Sequence, residues 1–337
     1  QSRWLLLSGI FSGLAMSLKY TSFIAPTLIG LLLIGQYWRQ PRQLARLLLL
    51  FAGPALLVAL PWYVKNWAFM GNPVYPFVWH GRFWDTFRAN AHQQPGSGIG
   101  WNLWAILTVP YTLTLGVADA SGDGLIGPLF LALLPLLLVY GVSRYGRHAP
   151  FAFRLLLLYA LVHYAFWVLG VIGSAPLWQG RLMLPALAAL CPALAWIIHD
   201  LSRFDHPQFS LQRFLNLLLA IVLLFGLVGQ LGDWLSQNPL AYVAGSQTRA
   251  EYLTRTQGYL YVALTEISDA LPPEAVVQFL WEPRTYYCEL DCRGDHILDK
   301  YTHLEHLHGS AAGIAQALAA EGVTHLFVFE QGLAFLR

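Results

Sequence analysis

The sequence predicts a mainly α protein, in which a multi-span transmembrane helical bundle precedes a C-terminal extracytoplasmic α/β domain. Hydrophobic residues make up 56% of the 337 positions and charged residues 11%, and the mean hydropathy is +0.50. Soluble domains carry about 25% charged residues. The charge also changes sign along the chain, because residues 236–337 contain six basic and twelve acidic side chains. We therefore expect a transmembrane domain over residues 1–235 and an α/β domain over residues 236–337.

Apolar runs of about 15–22 residues, bounded by charges or turns, mark the candidate spans. They are Trp4–Leu18, Ser22–Trp38, Leu44–Tyr63, Leu125–Ser143, Phe153–Ile172, Leu182–His199 and Phe214–Leu235. The first two are joined only through Ser17–Thr21, and they form either a tight helical pair or one long broken helix. Since the sequence starts at Gln1 rather than Met, we expect it to be a fragment that lacks upstream spans.

Short basic connections predict the orientation of the spans. Arginines of such loops stay on the cytoplasmic side, and here they are Arg39, Arg42, Arg46, Arg144, Arg147, Arg154, Arg203 and Arg213. All of them share one side only if the first two runs each cross the membrane. The long loop 64–124, the connection 173–181 and the C-terminal domain then lie outside.

The outer loop has predicted structure of its own. Leu103–Leu115 is apolar but too short to span, which favours an interfacial or re-entrant segment. Gln94–Gly100 reads as a flexible link, and the aromatic run Pro61–Phe77 reads as a helix end that opens into a polar loop.

The C-terminal part alternates between helix and strand patterns, which indicates an α/β domain. The predicted elements are a helix over Thr248–Leu271, a strand over Ala275–Trp281, a helix over Ala311–Glu321 and a strand over Thr324–Phe329. Cys288 and Cys292 are either a disulfide or two free thiols, and both alternatives stay open. Cys191, inside an apolar run, reads as a small core residue.

Three cations are the main candidates for binding an anion at the outer interface. Lys19, Lys65 and Arg181 come from three separate connections that the predicted topology places on one side. Lysine acts as a point charge for phosphate and arginine can bind it with two donors. The alternative is that each side chain reaches to lipid headgroups. Asn66 and Asn72 either bind a sugar or shape the loop around the Gly-Asn-Pro turn.

Other polar groups carry less weight. Arg82, Asp85 and Arg88 are spaced by three, which favours an intrahelical ion pair, with Asp85 as a weak candidate for a general base. The run His303–His308 lacks a second ligand cluster, so we predict no zinc site there. No nucleotide-binding or hydrolase motif is present, and the acidic C-terminal part disfavours nucleic acid as a partner.

Three segments together resemble the GT-C superfamily of membrane glycosyltransferases, which includes the protein O-mannosyltransferases and the aminoarabinose transferases. They are Gly9–Pro26 with its glycines and lysine, Pro61–Phe77, and Gly180–Pro185 (GRLMLP). Two positions depart from the family pattern: Leu18 precedes the lysine where Thr is commoner, and Leu182 replaces an aromatic residue.

This resemblance implies transfer of a sugar from a polyprenyl-phosphate donor to an acceptor on the outer face of a bacterial cytoplasmic membrane. Lys19, Lys65 and Arg181 would contact the donor phosphate, and Asn66 and Asn72 the sugar or the loop. The catalytic aspartate of such enzymes would precede Gln1, so the fragment alone would be inactive. No cofactor is certain, and a divalent metal stays an open expectation.

Two other functions remain alternatives. A transporter or flippase for lipid-linked or anionic solutes would also use outward cations and broken helices, but it predicts internal repeats that we do not find. An envelope assembly scaffold would use the C-terminal domain for docking.

Overall fold

Helices dominate the computed structural model, which describes residues 2–115, 126–143, 148–296 and 298–335. The helices up to residue 236 are α1 (Ser2–Leu18), α2 (Ile24–Tyr37), α3 (Pro41–Met70), α4 (Thr86–Gln93), α5 (Leu103–Leu115), α6 (Pro128–Val142), α7 (Phe151–Gly173), α8 (Leu184–Asp200) and α9 (Leu211–Ser236). The chain divides into two compact units, Gln1–Asn216 and Leu217–Arg337, with the boundary inside α9.

Five helical segments of the described chain are long and apolar enough to cross a membrane. They are Tyr20–Tyr37, Pro41–Met70, Phe151–Gly173, Gly180–Phe204 and Leu211–Ser236. The helices α1, α5 and α6 are also apolar but shorter. Each of the seven predicted runs thus falls on a helix. Arg144, Arg147 and the first residue of the run Leu125–Ser143 lie outside the described residues.

The helices α1 and α3 run parallel and pack backbone to backbone. A Cβ on Gly9 would collide with the Phe51 carbonyl, and one on Gly13 would lie 2.5 Å from the Ala55 carbonyl oxygen. Close approach of this kind needs residues without a side chain. Because α1 and α3 run in the same direction, the chain must return along α2 after α1 ends and before α3 begins. This supports a tight helical pair rather than one long broken helix.

The predicted end of the third span at Tyr63 is wrong. The helix α3 continues through Pro54 and Pro61 to Met70, because an internal proline removes one backbone hydrogen bond without ending an otherwise apolar helix. Gly71 ends it with a left-handed conformation, φ 72°, and a bond from its N–H to the Trp67 carbonyl. Lys65 and Asn66 consequently lie on a helix and not in a loop.

The segment Gln94–Gly100 is not a free link, contrary to the prediction. Its N–H groups at Gly96, Ile99 and Gly100 donate to the carbonyls of Gly173, Val171 and Ile172 at the end of α7. The last carbonyls of a helix have no partner within the helix, so this segment supplies the missing donors. Gly98 is required there, since a Cβ would collide with the Val171 carbonyl.

One face of the apolar helix α5 packs into the first unit, while Trp104 and Leu107 on the other face are exposed. Val109 is fully buried and Leu113 nearly so, in a core shared with α7 and α8. Cys191 on α8 is exposed, so its predicted place in the core is wrong.

The second unit is a small α/β unit with a parallel sheet in the order β2-β1-β3. Its elements are α10 (Pro239–Val243), α11 (Arg249–Gln257), α12 (Tyr259–Ala270), β1 (Val276–Leu280), β2 (Asp291–Arg293), α13 (Asp299–His308), α14 (Ala311–Ala320), β3 (His325–Val328) and α15 (Glu330–Phe335). The predicted helix Thr248–Leu271 is two helices, because Gly258 interrupts it with φ 63°. Cys288 and Cys292 form a disulfide.

Candidate functional site

One face of α7 holds the connection that leads into α8. The indole Nε1 of Trp167 donates to the Leu177 carbonyl over 3.0 Å. One turn earlier, Nε2 of His163 lies 2.8 Å from the Leu182 carbonyl oxygen. Residues four apart share a helix face, so these two side chains fix both ends of the turn that carries Arg181. His163 is 2% exposed.

Lys19 and Arg181 lie near enough for their charges to interact. Lys19 is the extended residue, φ −158° and ψ 137°, between α1 and the 3₁₀ turn Tyr20–Phe23. Arg181 lies in the 3₁₀ turn Gly180–Met183, where its Nε donates to Gln179 Oε1 over 3.1 Å. Partial burial lowers the pKa of the Lys19 ammonium, and the positive charge of Arg181 lowers it further. Two cations whose charges act on one another in this way could bind one anion together.

Lys65 lies on a different side of α3. Tyr63 faces α1, because its hydroxyl donates to the Met16 carbonyl over 3.1 Å. Lys65 is two residues further on, a rotation of about 200° around the helix. Its ammonium sits 4.6 Å from the Trp62 ring centroid, in a cation–π contact. The structure does not place Lys65 with the other two cations.

Asn66 helps to hold the loop after α3 in place. Its Nδ2 donates to the Tyr20 hydroxyl over 3.2 Å and to the Pro73 carbonyl over 3.4 Å. The Tyr20 hydroxyl in turn donates to the Tyr75 carbonyl over 2.7 Å. The loop is thereby tied to the segment that carries Lys19.

Asn72 is the centre of that loop and is 1% exposed. Its Oδ1 accepts from the Val74 N–H over 2.9 Å. Its Nδ2 donates to the carbonyls of Phe77 and His80 over 2.8 and 2.5 Å. Both polar atoms are engaged with the backbone, which favours the loop-shaping role over sugar binding.

Asp85 caps a helix. It precedes α4, with its carboxylate accepting the Arg88 N–H over 2.9 Å, as N-cap aspartates do. Arg82 lies before the helix, where its N–H bonds the Met70 carbonyl. The predicted single helix face for Arg82, Asp85 and Arg88 is therefore wrong, because the helix starts only at Thr86.

An apolar cavity of about 400 Å³ lies between the helices α5, α6, α7 and α8. Its lining includes Met183 and Leu187, close in sequence to Arg181, and Tyr164 on α7. Seventeen residues line it, and those with polar side-chain atoms are Thr114 and Tyr164. Arg181 and the cavity-lining residue Met183 thus belong to the same turn. A cation beside an apolar cavity suits an amphiphile with an anionic head.

No group of three or more metal-ligating side chains is found within the described residues. His303, Glu305, His306 and His308 lie on α13.

The sequence analysis did not single out three residues that lie in or beside the two cationic segments. Tyr20, Gln179 and Thr21 contact or border the two cationic segments, and each is a common residue type with no motif around it. The pairing of Lys19 with Arg181 had a signal, since both flank predicted span ends on one side.

Comparison with models of known protein families, with curated proteins and with solved structures gave no match to this chain. The described structure defines a class only: a mainly α chain with long apolar helices, a small parallel α/β unit, and two cations, Lys19 and Arg181, whose charges interact.

Proposed function

We propose that this protein transfers a sugar from a polyprenyl-phosphate-linked donor to an acceptor on the outer face of the cytoplasmic membrane. The observation that carries the proposal is the turn Gly180–Met183, in which the charge of Arg181 acts on Lys19 while Met183 lines the apolar cavity. The isoprenoid chain would occupy the cavity and the phosphate would lie between the cations.

The predicted orientation is part of the proposal. Lys19, the loop after Met70 and the connection after Gly173 are linked by hydrogen bonds and charge at one end of the helices. At the other end, Tyr140 donates to Asp200 over 3.0 Å and Arg203 pairs with Asp200. The described arginines of the positive-inside pattern, among them Arg39, Arg154 and Arg203, belong to the connections at this second end. The disulfide of the second unit suits an oxidising, extracytoplasmic compartment.

The chemistry assigned to the site is stabilisation of a leaving group. An acceptor hydroxyl oxygen attacks the anomeric carbon, the bond from that carbon to the phosphate oxygen breaks, and polyprenyl phosphate leaves with the extra negative charge. Lys19 and Arg181 offset that charge as it develops. The hydroxyl proton passes to a base, a role that we assign to no described residue, since Asp85 caps α4.

The test is a transfer assay on the protein in lipid nanodiscs, with undecaprenyl-phosphate sugars of several kinds as donors and released undecaprenyl phosphate as the readout. We expect Arg181→Ala to slow release strongly while the far-UV circular dichroism stays that of the parent. Arg39→Ala, at the far end of α2 against Trp38, is the matched control and should turn over normally. Movement of the donor from one leaflet of proteoliposomes to the other, without release of undecaprenyl phosphate, would favour a flippase instead.

A further inference from the structure

The strand β3 is an edge of the sheet in the second unit. In the order β2-β1-β3 it pairs with β1 on one side, and no other strand of the described residues pairs with it. The backbone N–H and C=O groups along its free side therefore have no sheet partner among those residues. Such an edge is a template on which a further strand can pair.

Apolar side chains of this edge strand are also uncovered. Leu326 is 52% exposed and Val328 is 38% exposed, and both lie on one face of the sheet because successive residues of a strand point to opposite faces. On the other face, Phe327 packs against Phe279 with the ring centroids 4.8 Å apart. Leu264 of α12 is fully buried in that same core, so α12 covers this second face.

A groove of about 370 Å³ lies between α12 and β3. Its apolar lining comes from both elements, with Ala263, Ile267 and Ala270 on α12 and Phe327 on β3. Glu266 of α12, an exposed residue, is an acidic part of the lining. A strand edge with free backbone groups therefore borders a largely apolar groove that carries a negative charge.

We propose that the second unit binds an extended segment of a partner polypeptide as a fourth strand beside β3. Backbone hydrogen bonds to the free side of β3 supply affinity, and alternate side chains of the segment enter the groove and supply specificity. Those side chains are apolar, apart from a lysine or arginine that pairs with Glu266. The charge of the unit agrees with a basic partner, since residues 236–337 contain six basic and twelve acidic side chains. This binding does not depend on the proposed sugar transfer.

The first experiment selects displayed random heptapeptides on the full chain, held as single copies in lipid nanodiscs. We expect enriched peptides that have apolar residues at alternate positions and a lysine or arginine. Failure to enrich any peptide would overturn the proposal, and so would enrichment of peptides that lack this alternation.

The second experiment asks whether the enriched peptide pairs as a strand. Successive N–H groups of a strand point to opposite sides, so only alternate residues of the peptide can donate to β3. Two synthetic versions are compared by fluorescence anisotropy, one N-methylated at its odd residues and the other at its even residues. Their affinities should differ at least about tenfold, and equal affinities would overturn the strand pairing.

The third experiment tests the charge in the groove. Glu266→Lys should weaken binding of the enriched basic peptide about fivefold, because an attraction between exposed charges becomes a repulsion. Asp269→Lys is the matched control, since Asp269 is also an exposed acid of α12 but does not line the groove. It should bind the peptide as the parent does, and equal effects of the two substitutions would overturn the assigned contact with Glu266.

A second copy of this chain is the competing occupant of the edge. Sedimentation velocity of the detergent-solubilised protein without peptide separates the two cases. We expect Leu326→Lys, a change at an exposed position of β3, to leave the oligomeric state of the parent unchanged. A parent dimer that this substitution converts to a monomer would show that β3 pairs with another copy, and would overturn the proposal.

Discussion

Removing the Asn72 side chain should destabilise the first unit, because three backbone groups depend on it. Asn72→Ala takes the acceptor from the Val74 N–H and the donor from the carbonyls of Phe77 and His80. The residue is 1% exposed, so water does not readily replace these bonds. At roughly 1 kcal/mol for each hydrogen bond, we expect a loss of about 3 kcal/mol.

The assay is reversible unfolding in mixed micelles, followed by tryptophan fluorescence. Asn72→Asp is the diagnostic partner, since it keeps the acceptor for Val74 but replaces a donor by a carboxylate facing two carbonyls. It should be no more stable than Asn72→Ala. Asn90→Ala, at an exposed position of α4, is the control and should stay within about 0.5 kcal/mol of the parent. Parental stability of Asn72→Ala would refute the loop-shaping role and return Asn72 to the sugar-binding candidates.

Three further outcomes are expected from packing and charge. Gly13→Ala should cost about 1–3 kcal/mol of stability, because the new Cβ would lie 2.5 Å from the Ala55 carbonyl oxygen. Gly30→Ala is the control: a Cβ there would meet no atom within 4 Å, so it should be neutral or stabilising in the same unfolding assay. Arg284→Ala should cost about 2 kcal/mol of stability, because it leaves the buried Glu282 carboxylate without its ion-pair partner. The loss is limited to this size because the Arg284 side chain is 59% exposed. Adding Glu282→Gln should recover part of the loss. Burial raises the pKa of the Asp295 carboxyl, which accepts hydrogen bonds from two backbone N–H groups. Its contribution to the free energy of unfolding is therefore full below the ordinary aspartate pKa of about 4. That contribution is lost as pH rises through the raised pKa. Asp295→Asn should therefore flatten stability against pH in that window, and an unchanged slope would contradict the assignment.

Hydropathy predicted the helices well, because a long apolar run satisfies its backbone hydrogen bonds within one segment only as a helix. All seven runs fall on helices, and the strands Val276–Leu280 and His325–Val328 lie inside their predicted ranges. The α/β pattern of the second unit was likewise readable, except at Gly258, where a backbone with positive φ divides one periodic run into two helices.

Helix ends were less predictable, because they depend on single backbone conformations. The third span was predicted to end at Tyr63, but α3 continues to Met70 and Gly71 ends it. That difference moved Lys65 and Asn66 from a loop onto a helix, and helical geometry then placed Lys65 away from Tyr63. Spacing along the chain could not show this until the helix end was known.

The tertiary partners of the site were beyond sequence reasoning. Gln94–Gly100 looked flexible because glycine and proline are common in links, yet its N–H groups complete the end of α7. His163 is one isolated polar residue in an apolar run, and its hydrogen bond with the Leu182 carbonyl can be seen only in the folded structure.

The most direct test of the central claim is the affinity of the protein in nanodiscs for undecaprenyl phosphate, compared with undecaprenol. A hydrogen bond to a charged group contributes about 1.5–3 kcal/mol, so Lys19→Ala and Arg181→Ala should each weaken phosphate binding about tenfold or more. Neither should alter undecaprenol binding, and Arg39→Ala should behave as the parent. Equal affinity of parent and Arg181→Ala for undecaprenyl phosphate would contradict the paired cation site and with it the proposed donor.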